Sequence, residues 1–178
     1  MANTYCAAVR KGIDEWNKAY HDEEYGFPLS EDNELFERLI LEINQAGLSW
    51  LTILKKREAF KEAYHGFELE RVAAYQDADR ARLLADAGII RNSLKVNAAI
   101  ENANRILALG GFAKWLDAHH PQDLAGWSKL FKKTFVFTGG EIVREFLVST
   151  GYLDGAHDEE CPVYRRIANK RPRWIIGR

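Results

Sequence analysis

Cysteine, proline and methionine are scarce in this chain: two, four and one in 178 residues. Charge of either sign is not in excess, since 25 Lys and Arg face 26 Asp and Glu for a formal net charge of -1. Near-neutrality excludes a global attraction to polyanions or to membrane surfaces, so any nucleic-acid footprint must be a local patch. No stretch approaches the roughly 18 apolar residues of a spanning helix. Lys11, Asp14 and Glu15 fall where a secretory signal would need an apolar run, so the expectation is a soluble, cytoplasmic protein with no membrane partner. Cys6 and Cys161 lie near opposite ends, and a reducing compartment makes a disulfide between them the lesser use. Repeats, low-complexity tracts and Pro/Gly/Ser-rich linkers are missing too, which predicts one domain over residues 1–178. A Gly-rich phosphate loop, a Gly-x-Ser-x-Gly elbow and a His-Glu-x-x-His helix are also lacking.

What is present reads as helix. Apolar residues recur at three and four through Leu35, Phe36, Leu39, Ile40 and Ile43, through Val96, Ala99, Ile100, Ala103 and Ile106, and through Ile142, Val143, Phe146 and Leu147. Ser30 ahead of Glu31 and Asp32 predicts an N-cap, and Gly88, Gly110 with Gly111, and Gly151 fall where helices should stop. The run Phe135-Val136-Phe137 alone reads as a strand. The predicted fold class is all-α, a compact bundle of about eight short helices meeting as hairpins.

One hairpin stands out at residues 83–95, where an apolar, glycine-led turn holds Gly88, Ile90, Arg91, Asn92 and Ser93. Such a turn can offer the unpartnered N–H groups opening its second helix to a phosphate, which positions DNA without reading its sequence. The alternative is that Ser93 merely caps a core helix. Cys6 and His21 near the start, with His157 and Cys161 near the end, form a two-Cys, two-His set. The spacing of four in the second pair puts both side chains on one side of a helical turn, and the set suits tetrahedral Zn²⁺. With all four positions filled by protein such a site is structural, a clasp between the ends. The other reading is that each cysteine packs as a small apolar residue.

Glu42 falls about 20° from Leu35 at 100° per residue, on the flank of an apolar stripe. It is either a cleft residue aimed at a polar or cationic ligand or a side chain that reaches solvent at the helix edge. Gly47, Leu48 and Trp50 follow at a bend, and Trp50 with Tyr20 and Tyr25 could make an aromatic box or simply pack. Basic residues cluster at Lys55-Lys56-Arg57, at Lys129, Lys132 and Lys133, and in an acid-free tail with Arg165, Arg166, Lys170, Arg171, Arg173 and Arg178. Jointly these fit phosphate neutralisation; singly each fits a solvated face.

The segments Tyr20-His21-Asp22-Glu23-Glu24-Tyr25-Gly26, Gln45-Ala46-Gly47-Leu48-Ser49-Trp50, Leu54-Lys55-Lys56-Arg57-Glu58 and Gly88-Ile89-Ile90-Arg91-Asn92 together resemble the 3-methyladenine DNA glycosylase I family, in order over most of the chain. The resemblance implies a monomeric helix-hairpin-helix enzyme acting on double-stranded DNA that hydrolyses the N-glycosidic bond of an alkylated purine. It puts structural zinc on Cys6, His21, His157 and Cys161 and the base-contacting, catalytic carboxylate on Glu42. Pocket aromatics fall on Tyr20, Tyr25 and Trp50, a DNA wedge on Gly47 and Leu48, and the phosphate grip on Gly88, Ile90, Arg91, Asn92 and Ser93. Asp117 reads as a surface residue rather than a catalytic one. Departures from the family pattern are Ala8 in place of a tryptophan, with Trp16 as the available substitute; Tyr25 in place of a second tryptophan; Ile43 after the key glutamate; and Gly140-Glu141 in place of paired threonines. The competing expectations are a non-catalytic module that binds damaged DNA and a glycosylase with a shifted lesion preference.

Overall fold

The computed structural model describes residues 4–176, and Arg178 of the basic tail lies outside them. Twelve α-helices occupy the described residues rather than eight: α1 Tyr5–Arg10, α2 Glu15–Glu23, α3 Asp32–Gln45, α4 Trp50–Ala63, α5 Leu69–Ala73, α6 Asp77–Ala85, α7 Ser93–Ala108, α8 Phe112–His119, α9 Leu124–Thr134, α10 Gly140–Ser149, α11 Pro162–Asn169 and α12 Arg173–Ile176. The surplus comes from pieces of four to six residues, too short to show a repeating apolar face.

The 14-residue helix α3 is the axis of the molecule, with residues 35–44 all buried and with α4, α7, α8 and α10 packed around it. Its stripe of Leu35, Phe36, Leu39, Ile40 and Ile43 joins Phe60, Phe67, Ile100, Phe112 and Phe146 in the main core. Phe112 and Phe146 stack with ring centroids 5.3 Å apart. Polar residues on the other face of α3 are buried and paired: Arg57 donates to Glu37 at 2.8 Å and to Glu24 at 2.7 Å, and Arg38 donates to the Ser149 carbonyl at 3.1 Å. Burying such groups is tolerable only because each finds a partner.

Helix ends follow the glycines, since α6, α7 and α10 stop shortly before Gly88, Gly110 and Gly151. Ser30 is not the cap of α3, which begins after Glu31 without a side-chain cap. Asp32 instead turns outward to accept the Ala113 N–H at 2.8 Å, capping α8. Gly111, at φ +120°, allows that approach, because a Cβ there would sit 2.8 Å from the Asp32 carboxylate. Ser93 is likewise inside its helix, and Asn92 caps α7 by accepting the Lys95 N–H.

The strand expected at residues 135–137 does not form, and no strand occurs among the described residues. A β-prone run needs a neighbouring strand to take its backbone groups. Here the fully buried Asn102 side chain takes them instead, accepting the Val136 N–H at 2.9 Å and donating to the Val136 carbonyl at 3.0 Å. Among the described residues no helix is long and apolar enough to cross a membrane.

Candidate active site

The two ends of the chain meet. Cys6 in α1, His21 in α2, His157 in the loop before α11 and Cys161 at its start are all buried, with one donor atom from each lying within 4.8 Å of every other. Individual separations run from 3.3 Å for His21 Nε2 to Cys6 Sγ, through 3.5 and 3.7 Å from His157 Nδ1 to the two sulfurs, to 3.9 Å for Cys161 Sγ to His21 Nε2. A tetrahedron with Zn–S near 2.3 Å and Zn–N near 2.05 Å has N···S edges of about 3.6 Å.

Outer partners fix the free ring nitrogens. His157 Nε2 donates to the Tyr25 carbonyl at 2.7 Å and His21 Nδ1 to the Asp22 carboxylate at 2.8 Å, so the other nitrogen of each ring presents its lone pair to the thiols. Burial holds the His157 ring below its ordinary pKa, hence neutral, and pushes the Cys6 thiol up to about 11. Two sulfurs and two ring nitrogens converging in a buried site are a donor set that fits a tetrahedral cation. The segments touch closely: Gly26, at φ +85°, passes Ala156 so tightly that a Cβ would sit 2.5 Å from the alanine methyl.

Next to this cluster opens a cavity of about 560 Å³. Tyr20, Tyr25, Glu42 and Trp50, singled out from separate stretches of sequence, line it together. The Tyr20 ring lies 5.1 Å from Trp50 and 5.7 Å from Tyr25, while the Arg38 guanidinium sits 5.1 Å over its outer face. Glu42 is 5% exposed, so it does not reach solvent along the helix edge. Desolvation raises its pKa to about 8, with Glu145 and Glu141 adding to the rise and Arg38 opposing it. Two buried donors in the same walls, the Tyr20 hydroxyl and the Trp50 Nε1–H, have no hydrogen-bond partner. An unmade bond of that kind costs about 1–3 kcal/mol.

The bend after α3 is braced. Gln45 Nε2 donates to the Leu48 carbonyl at 2.9 Å, Gly47 takes φ +83°, and Leu48 is left 39% exposed. Lys95, buried at the start of α7, donates to the carbonyls of Asn44 and Ala46, both at 2.8 Å. Across the turn of residues 86–92, Lys56 donates to the carbonyls of Ala87 and Gly88 at 3.1 and 3.4 Å. These two lysines fasten the hairpin of α6 and α7 to the helices that carry Glu42 and Trp50. Arg91, Asn92 and Ser93 are exposed at its tip, and Gly88 and Ile90 are half-buried beneath them.

Several readings of single residues change. Trp16 is 51% exposed and lies by Glu15, Leu54 and Arg57 outside this cavity, so it does not stand in for the tryptophan replaced by Ala8. Arg57 is committed to Glu24 and Glu37, Arg166 to Glu23, and Arg173 to Asp117, which removes three members from the basic clusters. Asp117, by contrast, is the surface residue expected: exposed, bound to Arg173 and to the Tyr152 hydroxyl, and not among the cavity residues. Sequence reasoning missed Tyr5, whose ring lies edge-on to both His21 and Tyr25 and which lines the cavity. It also missed Arg144 and Glu145 of α10, the latter about 60° from Ile142 at 100° per residue and so well off the apolar stripe.

A cavity walled by aromatic rings and holding a buried acid on an all-helical scaffold suits a flat, electron-poor ring. This is the class of helical base-binding proteins. Residues 10–125 match the methyladenine glycosylase family, and the chain belongs to that family. It is 50% identical over 91 residues to DNA-3-methyladenine glycosylase 1 of Escherichia coli (strain K12), a match spanning 51% of this chain and 49% of that protein. To the DNA-3-methyladenine glycosylase of Haemophilus influenzae it is 34% identical over 80% of this chain and 89% of the other. A structure solved for 3-methyladenine recognition by 3-methyladenine DNA glycosylase I from Staphylococcus aureus superposes with a TM-score of 0.79 at 34% identity, covering 88% of this chain and 95% of that one.

Proposed function

We propose that the protein is a DNA-3-methyladenine glycosylase, a single domain that removes N3-alkylated adenine from double-stranded DNA in base-excision repair. The observation that carries this reading is the buried Glu42 carboxyl, set in one aromatic cavity with the unpartnered Tyr20 hydroxyl and Trp50 N–H. Adenine methylated at N3 is cationic, so the faces of Tyr20, Tyr25 and Trp50 attract it and Glu42 accepts hydrogen bonds from its edge. Neutral adenine gains less from the same groups.

The base must first leave the stack. The exposed tips Arg91, Asn92 and Ser93, backed by Gly88 and Ile90, hold the phosphate backbone, while Leu48 at the Gly47 bend enters the gap left by the flipped nucleotide. Once the base is in the cavity, the C1′–N9 bond breaks with its electron pair moving to the purine, which leaves neutral. The sugar passes through an oxocarbenium-like state that water then attacks. The positive charge of a base brought against Glu42 draws off its proton, and the carboxylate so formed favours this step electrostatically, so no protonation of the leaving base is required. Zinc held by Cys6, His21, His157 and Cys161 would be four-coordinate and structural, supplying no activated water. Ligation by Cys6 and His21 would hold α1 and α2, which carry Tyr5 and Tyr20, against the cavity. The protein acts as a monomer in the cytoplasm with access to chromosomal DNA.

Chromatography of the bases released from N-methylated duplex DNA tests the reading. Wild-type protein is expected to release 3-methyladenine, and a folded Glu42→Gln variant is not. No base released by wild type that still binds the DNA would overturn the enzymatic reading in favour of a binding module.

A further inference from the structure

The wall of the cavity formed by α10 carries a second acid that the chemistry above does not use. Glu145 lines the cavity and is only 28% exposed at its side chain. The Tyr25 hydroxyl donates to its Oε2 at 3.1 Å, and Arg144 donates to its Oε1 at 2.5 Å. Arg144 also reaches Glu141, one turn back on the exposed rim, at 3.3 Å. One guanidinium therefore serves two carboxylates, and the rim keeps a net negative charge whatever the protonation state of Glu42. Glu145 is within electrostatic reach of Glu42, because its charge contributes to the raised pKa of that residue.

We propose that Glu145 is a specificity-determining residue of the base cavity, held by Tyr25 and Arg144 so that its charge favours a purine ring carrying a positive charge over the same ring without one. The inference rests on the glycosylase reading and assigns a second source for its selectivity. A carboxylate that is both shielded and fixed acts across a cavity more strongly than a mobile surface acid, since neither water nor rotamer freedom dissipates its field. Tyr25 contributes twice, as an aromatic face and as the donor that keeps Glu145 from turning out to solvent.

The test uses two small bases that differ by one N3 methyl group and the positive charge it fixes: 3,9-dimethyladeninium, whose N9 methyl stands for the sugar, and neutral 9-methyladenine; the methyl is common to every protein titrated, so the change between variants reads the charge. Metal-loaded wild type, Glu145→Gln and Tyr25→Phe are titrated with each while tryptophan fluorescence, including that of Trp50 in the cavity, is followed. Glu145→Gln is expected to lose about tenfold in affinity for the cation, equivalent to ~1.4 kcal/mol, and less than twofold for the neutral base. Tyr25→Phe, with no charge altered, is expected to lose part of the same preference. Should Glu145→Gln fold poorly, Tyr25→Phe decides alone.

An unchanged preference in the variants, or an equal loss for both bases, overturns the inference and assigns Glu145 to packing. If wild type releases 3-methyladenine from DNA while that happens, the proposed function stands without it. A wild type that releases no base and binds neither ring overturns both.

Discussion

Glu42 should weaken the fold it serves, and by an amount that grows with pH. Its carboxyl keeps a proton up to about pH 8 in the folded chain, against an ordinary value of 4.5. Between those values the folded state binds more protons than the unfolded one, so stability is full below pH 4.5 and falls as pH rises towards 8. The loss reaches on the order of 3 kcal/mol at pH 7 and 5 kcal/mol above pH 8, as upper bounds because the cavity admits water. Arg38 opposes the effect, while Glu141 and Glu145 on α10 enlarge it.

Glu42→Gln keeps the shape and removes the titration. Its melting temperature is expected to match wild type near pH 4.5 and to exceed it by up to ~6–12 °C at pH 7, taking about 2–4 °C per kcal/mol for a chain of this size. Differential scanning fluorimetry of both proteins at half-unit steps from pH 4.5 to 9 measures this directly. A difference that stays flat across that range would refute the account of Glu42 as a buried, unpartnered acid. A loss of base release together with a gain in stability would mark Glu42 as a group kept for chemistry at the expense of the fold.

Three further outcomes follow from the geometry. Cys161→Ser, or a strong chelator, should remove one equivalent of zinc per chain and lower the melting temperature markedly; equal stability in a native, metal-free protein would dispose of the metal site. Asn102→Ala leaves the Val136 N–H and carbonyl unpaired and should cost about 2 kcal/mol, seen as a lower urea midpoint with an unchanged slope; a shift too small to measure would show that water replaces the amide. Lys95→Met frees the carbonyls of Asn44 and Ala46 at the bend and should slow release of 3-methyladenine from DNA more than it weakens binding of the free base. Equal effects on both would mean that the bend is not held for the sake of DNA.

Much of this site can be read from residue types and spacing because the signals are local. Glu42 sits one helical flank away from five core residues, and a carboxylate so placed has few destinations other than a cavity. His157 and Cys161 stand four apart in a loop ahead of α11 rather than on the helical turn that spacing suggests, yet they converge with the complementary pair Cys6 and His21. The resemblance to a glycosylase family joined these fragments, which spacing alone leaves separate. Less legible were features that depend on a partner from elsewhere in the chain. Arg57 looks like a phosphate ligand until Glu24 and Glu37 are found against it. The β-prone residues at 135–137 lack any neighbour that could complete a sheet, and an asparagine 34 residues away settles their conformation. Tyr5 carries no signal at all, lying in a six-residue helix whose role is set by the rings it meets. The limit lies in tertiary pairing, where an ordinary residue acquires its function from a distant contact.

The placement of the four metal-type donors has a consequence for the life history of the molecule. Two come from the first 21 residues and two from residues 157 and 161, so a ring of some 150 residues closes when they converge. By the same reckoning used for a covalent cross-link, closing a ring of that size removes on the order of 5 kcal/mol of freedom from the unfolded chain. A cation that needs all four ligands would bind only once the helices between them are in place. Metal content, where a cation is bound, would then report the copies in which the segments around residues 6–21 and 157–161 have come to rest beside the cavity.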